Sequence, residues 1–372
     1  MKTEQIRNIL LIGIVILLFI NGFGLYYIHT HQNVKESIIK KLPKNTWETI
    51  STPDGISSDG SPWKGLYKQG KENNLLVYFV GGGMSFDPEM DMDKEEQFFE
   101  RNLWYLDQLP YYRIFSESKK NPYKDWSFII VPYSSGDLHI GQGEYTYINE
   151  QGKEETVYHH GYTNFISLME TLKPRINSPE KLVVTGSSAG GFAAALLTED
   201  IKEYFPETKN VTCLIDAGFL FYDSWKEAAT YWNAPEHIIN RIHSNNIVLD
   251  SLEQLEDVKI LFVCSTRDSA LQSYQRYIDH GIFMYNKEAG DTFFSNLKEM
   301  VEGIQQFENS GVYIYDFVVS EEYALTKHMV LPDLPFELLQ EQISVADWLE
   351  DAIESEIYSI GTDLLEKGLT TY

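Results

Sequence analysis

The sequence predicts an α/β fold: a mainly parallel sheet flanked by helices and preceded by an N-terminal transmembrane helix. Three observations carry this. Short, continuously apolar runs recur along the chain, amphipathic stretches alternate with them, and a glycine-flanked serine turn joins one run to one such stretch. Strands buried on both faces read as unbroken apolar runs, and strand–helix–strand alternation gives parallel sheets covered by helices.

Residues 1–8 form a short cap carrying Lys2, Glu4 and Arg7. Residues 9–28, ILLIGIVILLFINGFGLYYI, run for 20 positions without a charge. As a helix rising about 1.5 Å per residue, this run covers about 30 Å, the hydrocarbon thickness of a bilayer. It exceeds the apolar core of a signal peptide, about 7–15 residues, and no small-residue cleavage site follows. Tyr26 and Tyr27 stand where interfacial aromatics belong. The reading is a single-pass membrane anchor. Lys2 and Arg7 before it are balanced by Lys35, Lys40 and Lys41 after it, so charge does not orient it. A long C-terminal body translocates largely regardless of flanking charge, which places the body outside the cytoplasm. Residues 29–46 read as a polar tether and residues 47–372 as one α/β body.

Within the body, the predicted strands are Leu75–Val80, Phe128–Val131, Leu182–Thr185, Val211–Ile215, Ile260–Cys264 and Val312–Phe317. The predicted helices include Tyr162–Leu172 and Gly190–Tyr204. A C-terminal helix is marked by Ser344 as N-cap before the periodic Val345, Trp348, Leu349, Ala352 and Ile353. Phe86–Pro122 and Phe219–Glu256 read as insertions on the edge where α/β sheets place ligand-binding loops, with ordinary surface decoration as the other reading.

Composition narrows the function. Lys and Arg number 30 against 55 Asp and Glu, a net charge of −25, which opposes nucleic-acid binding and does not favour a polyanionic substrate. Apolar residues at 43 % supply a sizeable core and exclude global disorder. The 2 cysteines, Cys213 and Cys264, exclude a disulfide framework and a four-cysteine zinc site, and read as core residues.

The chemistry centres on Gly186-Ser187-Ser188-Ala189-Gly190, which follows the strand KLVVT and opens the helix GGFAAALL. A nucleophile at the apex of a sharp strand-to-helix turn needs small residues two positions to either side. Ser188 fills that apex; Ser187 is the register alternative. A serine attacks only when a base takes its proton. Chain order Ser, Asp, His points to Asp268, after the second strand beyond the turn, and His328, after the third. Asp268 also reads as a helix cap. Asp216 is the rival acid, and His159 and His160 are the rival bases. Gly81-Gly82-Gly83 follows the strand LLVYFV and offers close-approaching amides for a developing oxyanion, with Gly82, Gly83 and Ala189 as donors; a plain tight turn is the other reading. Asp87, Glu89, Asp91 and Asp93 alternate like the start of a calcium loop but lack its glycine, and read as a solvated acidic face. The constellation implies no cofactor and no metal.

VYFVGGGMSF, NPYKDWSFIIVPYSSGDLHIG, HHGYTNF, VVTGSSAGGFAAAL, IDAGFLF, the Asp268 segment and TKHMV together resemble the pectin acetylesterase/Notum family of serine esterases, over roughly Trp63–Val330. The resemblance implies an α/β-hydrolase-like fold and removal of an acyl group from an ester, on a glycan, a small molecule or a protein. It places the nucleophile on Ser188, the acid on Asp268, the base on His328, and the oxyanion donors on Gly82, Gly83 and Ala189. Met84 and Ser85 stand where plant and animal members carry Trp and Cys, and Met84 is expected beside the oxyanion site, narrowing the acyl pocket. The expected activity is a membrane-anchored O-acetylesterase acting on an extracellular glycan. A deacylase of lipid- or protein-linked chains, or a catalytically silent binding module, is the alternative.

Overall fold

The computed structural model describes residues 47–93, 97–354 and 356–366. The cap, the 9–28 anchor and the tether expected from the sequence lie outside the described residues. Among the described residues, no helix is long and apolar enough to cross a membrane.

Eight strands make the main sheet: β1 (Glu48–Ile56), β2 (Pro62–Lys68), β3 (Asn74–Phe79), β4 (Ser127–Val131), β5 (Lys181–Ser187), β6 (Asn210–Asp216), β7 (Val258–Ser265) and β8 (Ser310–Tyr315). Their order is β1-β2-β4-β3-β5-β6-β7-β8. From β4 to β8 every pairing is parallel, and β1 and β2 pair antiparallel at one edge. All six apolar runs of the sequence become the parallel strands. The unforeseen pair, β1 and β2, carries Thr, Asp, Lys and Pro, a composition suited to a sheet edge. The last run stops at Tyr315 rather than Phe317. There the chain leaves the sheet for the small Val318–Ser320 and Leu325–Thr326 ladder, and Phe317 is exposed.

Five longer helices flank the sheet: α1 (Gly161–Leu172), α2 (Ala189–Tyr204), α3 (Leu271–His280), α4 (Lys287–Ile304) and α5 (Val345–Glu354). Alternation along β3 sends Phe79 to one face, against Phe165 of α1 at 5.5 Å, and Tyr78 to the other, against Phe115 at 5.2 Å. The second face is closed by α5, where Trp348 meets Tyr313 of β8 at 5.6 Å. Ser344 caps α5 as expected, its hydroxyl accepting the Asp347 N–H at 3.1 Å. Each core Val, Leu, Ile or Phe so buried contributes about 1.5–3 kcal/mol.

The stretch 86–122 holds the short helix Pro88–Met92 and two 3-10 segments, Leu106–Tyr111 and Arg113–Phe115, and 219–256 holds three short helices. Cys213 and Cys264 are free and buried on the neighbouring strands β6 and β7, and burial pushes the Cys213 thiol up to about 12.

Candidate active site

β5 enters α2 through Ser188, whose backbone sits at φ 59°, ψ −126°. A non-glycine residue there carries about 1–3 kcal/mol of strain, which neighbouring contacts must hold. Its N–H donates to the Asp216 carbonyl at 2.8 Å, and its carbonyl accepts the Gly191 N–H at 2.7 Å. The spacing rule read from the sequence has a steric basis: a Cβ at Gly190 would lie 1.9 Å from the Phe79 carbonyl oxygen, and one at Gly186 would lie 2.2 Å from that of Gly190. Ser187 is buried at the floor of the same turn, where its hydroxyl meets the Asp216 carboxylate and the Tyr78 hydroxyl, each at 2.7 Å. The register alternative is thereby spent on structure.

Asp268 is fully buried beyond the end of β7. Its Oδ1 accepts the N–H groups of Ala270 and Leu271, both at 2.9 Å, and its Oδ2 faces His328 Nδ1 at 2.8 Å. Cap and histidine partner are therefore one residue, using one oxygen for each. His328 reaches it because Thr326 is stitched to the β7 exit: its N–H donates to the Arg267 carbonyl, its carbonyl accepts the Ser269 N–H, and its hydroxyl accepts the Arg267 N–H. With Nδ1–H donated to the carboxylate, Nε2 is left as the acceptor, a tautomer assigned from this hydrogen bond.

Asp216, the rival acid, makes no bond to His328. Its carboxylate accepts Ser187 Oγ–H and the N–H groups of Val330 and Leu331. Burial pushes this carboxyl up to about 6, although these donors pull the other way. The rival histidines are also accounted for. His159 Nε2 is 2.8 Å from Asp91 and its Nδ1 is 2.7 Å from the Ser135 carbonyl, while His160 pairs with Glu144. Asp91 corrects the reading of 87–93 as a solvated acidic face: it is fully buried, held by His159 and Tyr231, while Asp87 caps the Pro88–Met92 helix. Among the described residues, no group of three or more His, Cys, Asp and Glu side chains is placed to hold a metal.

The glycine run abuts the serine turn, since a Cβ at Gly81 would fall 2.7 Å from Ser188 Cβ. Glu100 N–H donates to the Gly82 carbonyl at 2.8 Å, and Met84 N–H donates to the Phe98 carbonyl at 3.1 Å. These bonds pin the run to residues 98–100. They leave the amides of Gly82 and Gly83, like that of Ala189 at the start of α2, without an acceptor among the described residues.

Gly82, Gly83, Ser188 and His328 line one cavity of about 380 Å³. No hydrogen bond joins Ser188 to His328 among the described residues, and such bonds often tighten only when substrate binds. Met84 is a correction: it is fully buried in the core and absent from the cavity wall. Gly83, at φ +81°, turns the chain so that Met84 follows the Phe98 bond inward. Tyr274, Tyr105, Tyr112, Trp104 and Glu100 form the wall instead. All but Tyr274 come from the 86–122 stretch, whose aromatic richness was its signal; nothing in the sequence marked Tyr274. The 219–256 stretch contributes no wall residue.

A strained serine at a strand-to-helix turn, a buried aspartate bonded to a half-buried histidine beyond later parallel strands and a glycine run with unspent amides are arranged as in the α/β-hydrolase fold. The sequence model of the pectinacetylesterase family matches residues 46–287, and the chain belongs to that family. The match contains the glycine run, Ser188 and Asp268, and ends before His328. Pectin acetylesterase 4 of Arabidopsis thaliana is 22 % identical over 226 residues, 59 % of this chain and 54 % of its own length. The chain thus spans about half the length of this curated relative. Two crystal forms of the Wnt deacylase Notum from Drosophila superpose with TM-scores of 0.59 and 0.58, at 14 % identity, over 85 % of this chain and 96 % of theirs. They share the fold.

Proposed function

We propose that this protein is a serine carboxylic-ester hydrolase that removes a short acyl group, acetyl in the leading reading, from an extracellular glycan. Residues 9–28 would anchor it in the membrane with the body outside the cytoplasm; the uncharged run of 20 residues supports this. The observation that carries the enzymatic reading is the 2.8 Å bond between Asp268 and His328 beside a cavity that the strained Ser188 also lines. In this reading Ser188 Oγ attacks the ester carbonyl and passes its proton to His328 Nε2, while Asp268 fixes the imidazole. The amides of Gly82, Gly83 and Ala189 receive the oxyanion. The protonated His328 returns its proton to the departing alcohol oxygen, and water then releases the acid from the acyl-serine and restores Ser188.

A lipid- or protein-linked acyl chain is the second reading, favoured by the aromatic walls of the cavity. A series of p-nitrophenyl esters of increasing chain length separates the two, with acetate turned over fastest under the first. The nucleophile is tested by fluorophosphonate labelling and peptide mapping, which should mark Ser188. The Ser188→Ala variant should lose p-nitrophenyl acetate turnover by a factor of about 10⁴ or more. Unchanged turnover would overturn the assignment, and an unlabelled, inert protein would leave a silent binding module of the same fold.

A further inference from the structure

The wall of the cavity holds a feature that ester hydrolysis itself does not require. Trp104 is 66 % exposed, whereas Trp63, Trp126, Trp225, Trp232 and Trp348 are all buried. An indole left in solvent on the wall of a cavity that Ser188 also lines offers an open face to a ligand. It is also fixed in place. Its Nε1–H donates to Glu100 Oε2 at 2.8 Å, its backbone N–H donates to Asn102 Oδ1 at 3.2 Å, and its ring stands edge-on to Tyr105 at 5.8 Å. Tyr105 in turn is bonded through its hydroxyl to the backbone of Tyr133.

Glu100 extends the platform toward the glycine run. Its stem packs on Gly82, where a Cβ would meet Glu100 Cγ at 3.2 Å, and its backbone N–H holds the Gly82 carbonyl. Oε2 is occupied by Trp104, and Gln97 Nε2 lies 3.5 Å from it. Oε1 accepts no bond among the described residues. Among the described residues no lysine or arginine lines the cavity, and the chain carries a net charge of −25.

We infer that Trp104 and Glu100 form a sugar-binding subsite for an uncharged or amino-substituted pyranose, and that uronic acids are excluded from it. This rests on the esterase reading above and names the alcohol part of its substrate. The C–H face of a pyranose lies on the electron-rich face of the indole, and a sugar hydroxyl donates to Glu100 Oε1. A uronate carboxylate would meet Glu100 with no cation among the described wall residues to offset the repulsion. The link from Glu100 to Gly82 sets the sugar beside the amides that face the ester.

The test uses the full-length chain with three acetyl esters: an O-acetylated neutral xylo-oligosaccharide, an O-acetylated oligogalacturonide and p-nitrophenyl acetate. The neutral oligosaccharide should exceed the galacturonide in kcat/KM by tenfold or more. Trp104→Ala should lower the ratio of oligosaccharide to aryl-ester kcat/KM at least tenfold, mainly through KM. Glu100→Gln should narrow the gap between neutral and uronide substrates. Equal or better turnover of the galacturonide, or a Trp104→Ala loss shared evenly by all three esters, overturns the subsite. Oligosaccharide binding to the Ser188→Ala variant, followed by tryptophan fluorescence, keeps the two readings apart. Binding that needs Trp104 in a protein hydrolysing none of the esters would uphold the subsite and refute the esterase.

Discussion

Asp216 holds Ser188 by its backbone carbonyl, which accepts the serine N–H at 2.8 Å, while its side chain holds the amides just past His328. One residue at the end of β6 thus ties the serine turn to the histidine loop, two segments 140 positions apart in sequence.

Asp216→Ala should unfold more readily and turn over ester more slowly. It strips three buried donors of their acceptor, at about 1–3 kcal/mol each before relaxation. The pH dependence has a definite sign. The carboxyl titrates at about 6 in the folded chain against an ordinary 3.8, so its stabilisation is complete below 3.8 and is lost as pH rises through 6. The melting-temperature deficit of the variant should therefore be larger at pH 5 than at pH 7.5. A deficit that grows with pH would contradict the role.

The two oxygens of Asp268 can be separated by substitution. Asp268→Asn keeps Oδ1 for the amides of Ala270 and Leu271 but no longer accepts the imidazole N–H, so kcat should fall by about 10⁴ with stability nearly unchanged. Asp268→Ala should lose about 1 kcal/mol more in denaturant titration, the worth of the cap. An Asn variant with near-normal kcat would remove Asp268 from the mechanism.

Gly190→Ala should fail to fold or should lose more than about 3 kcal/mol, because the new methyl meets a backbone carbonyl that cannot move aside. Circular dichroism melts of this variant beside Ser188→Ala would show the contrast, the latter melting close to the parent.

The buried His159–Asp91 pair should give an alkaline weakness. Burial lowers the His159 pKa, but the bond and charge of Asp91 outweigh it and hold the imidazole above its ordinary 6.5. Burial likewise raises Asp91, and His159 outweighs it, holding the carboxyl below 3.8. The histidine's share of stability is full below 6.5 and lost as pH rises through its raised value; the aspartate's share is full above 3.8 and lost as pH falls. His159→Gln, which breaks a buried pair, should cost about 3–5 kcal/mol near pH 6 and progressively less toward pH 9. Thermal melts across that range check it.

The parallel sheet was legible because burial on both faces writes strands as unbroken Val, Ile, Leu and Phe. The serine turn was legible because backbone contacts at Gly186 and Gly190 forbid larger residues. Strand order marked Asp268 and His328 as candidates, and the structure brings the two side chains together. β1 and β2 were missed since edge strands need no such purity. Met84 was misplaced because its direction depends on one positive φ at Gly83, which one-dimensional spacing does not encode. Tyr274 was invisible because a helical tyrosine reaches the cavity only through tertiary packing.

The bond from Glu100 to Gly82 fastens the proposed sugar-binding wall to the proposed oxyanion loop, so the two move as one ribbon of chain. Exchanging residues 86–122 for another loop would therefore not retune substrate choice at constant speed. It would disturb selectivity and turnover together, and new specificities on this scaffold should arise by point changes along the ribbon rather than by wholesale replacement of it.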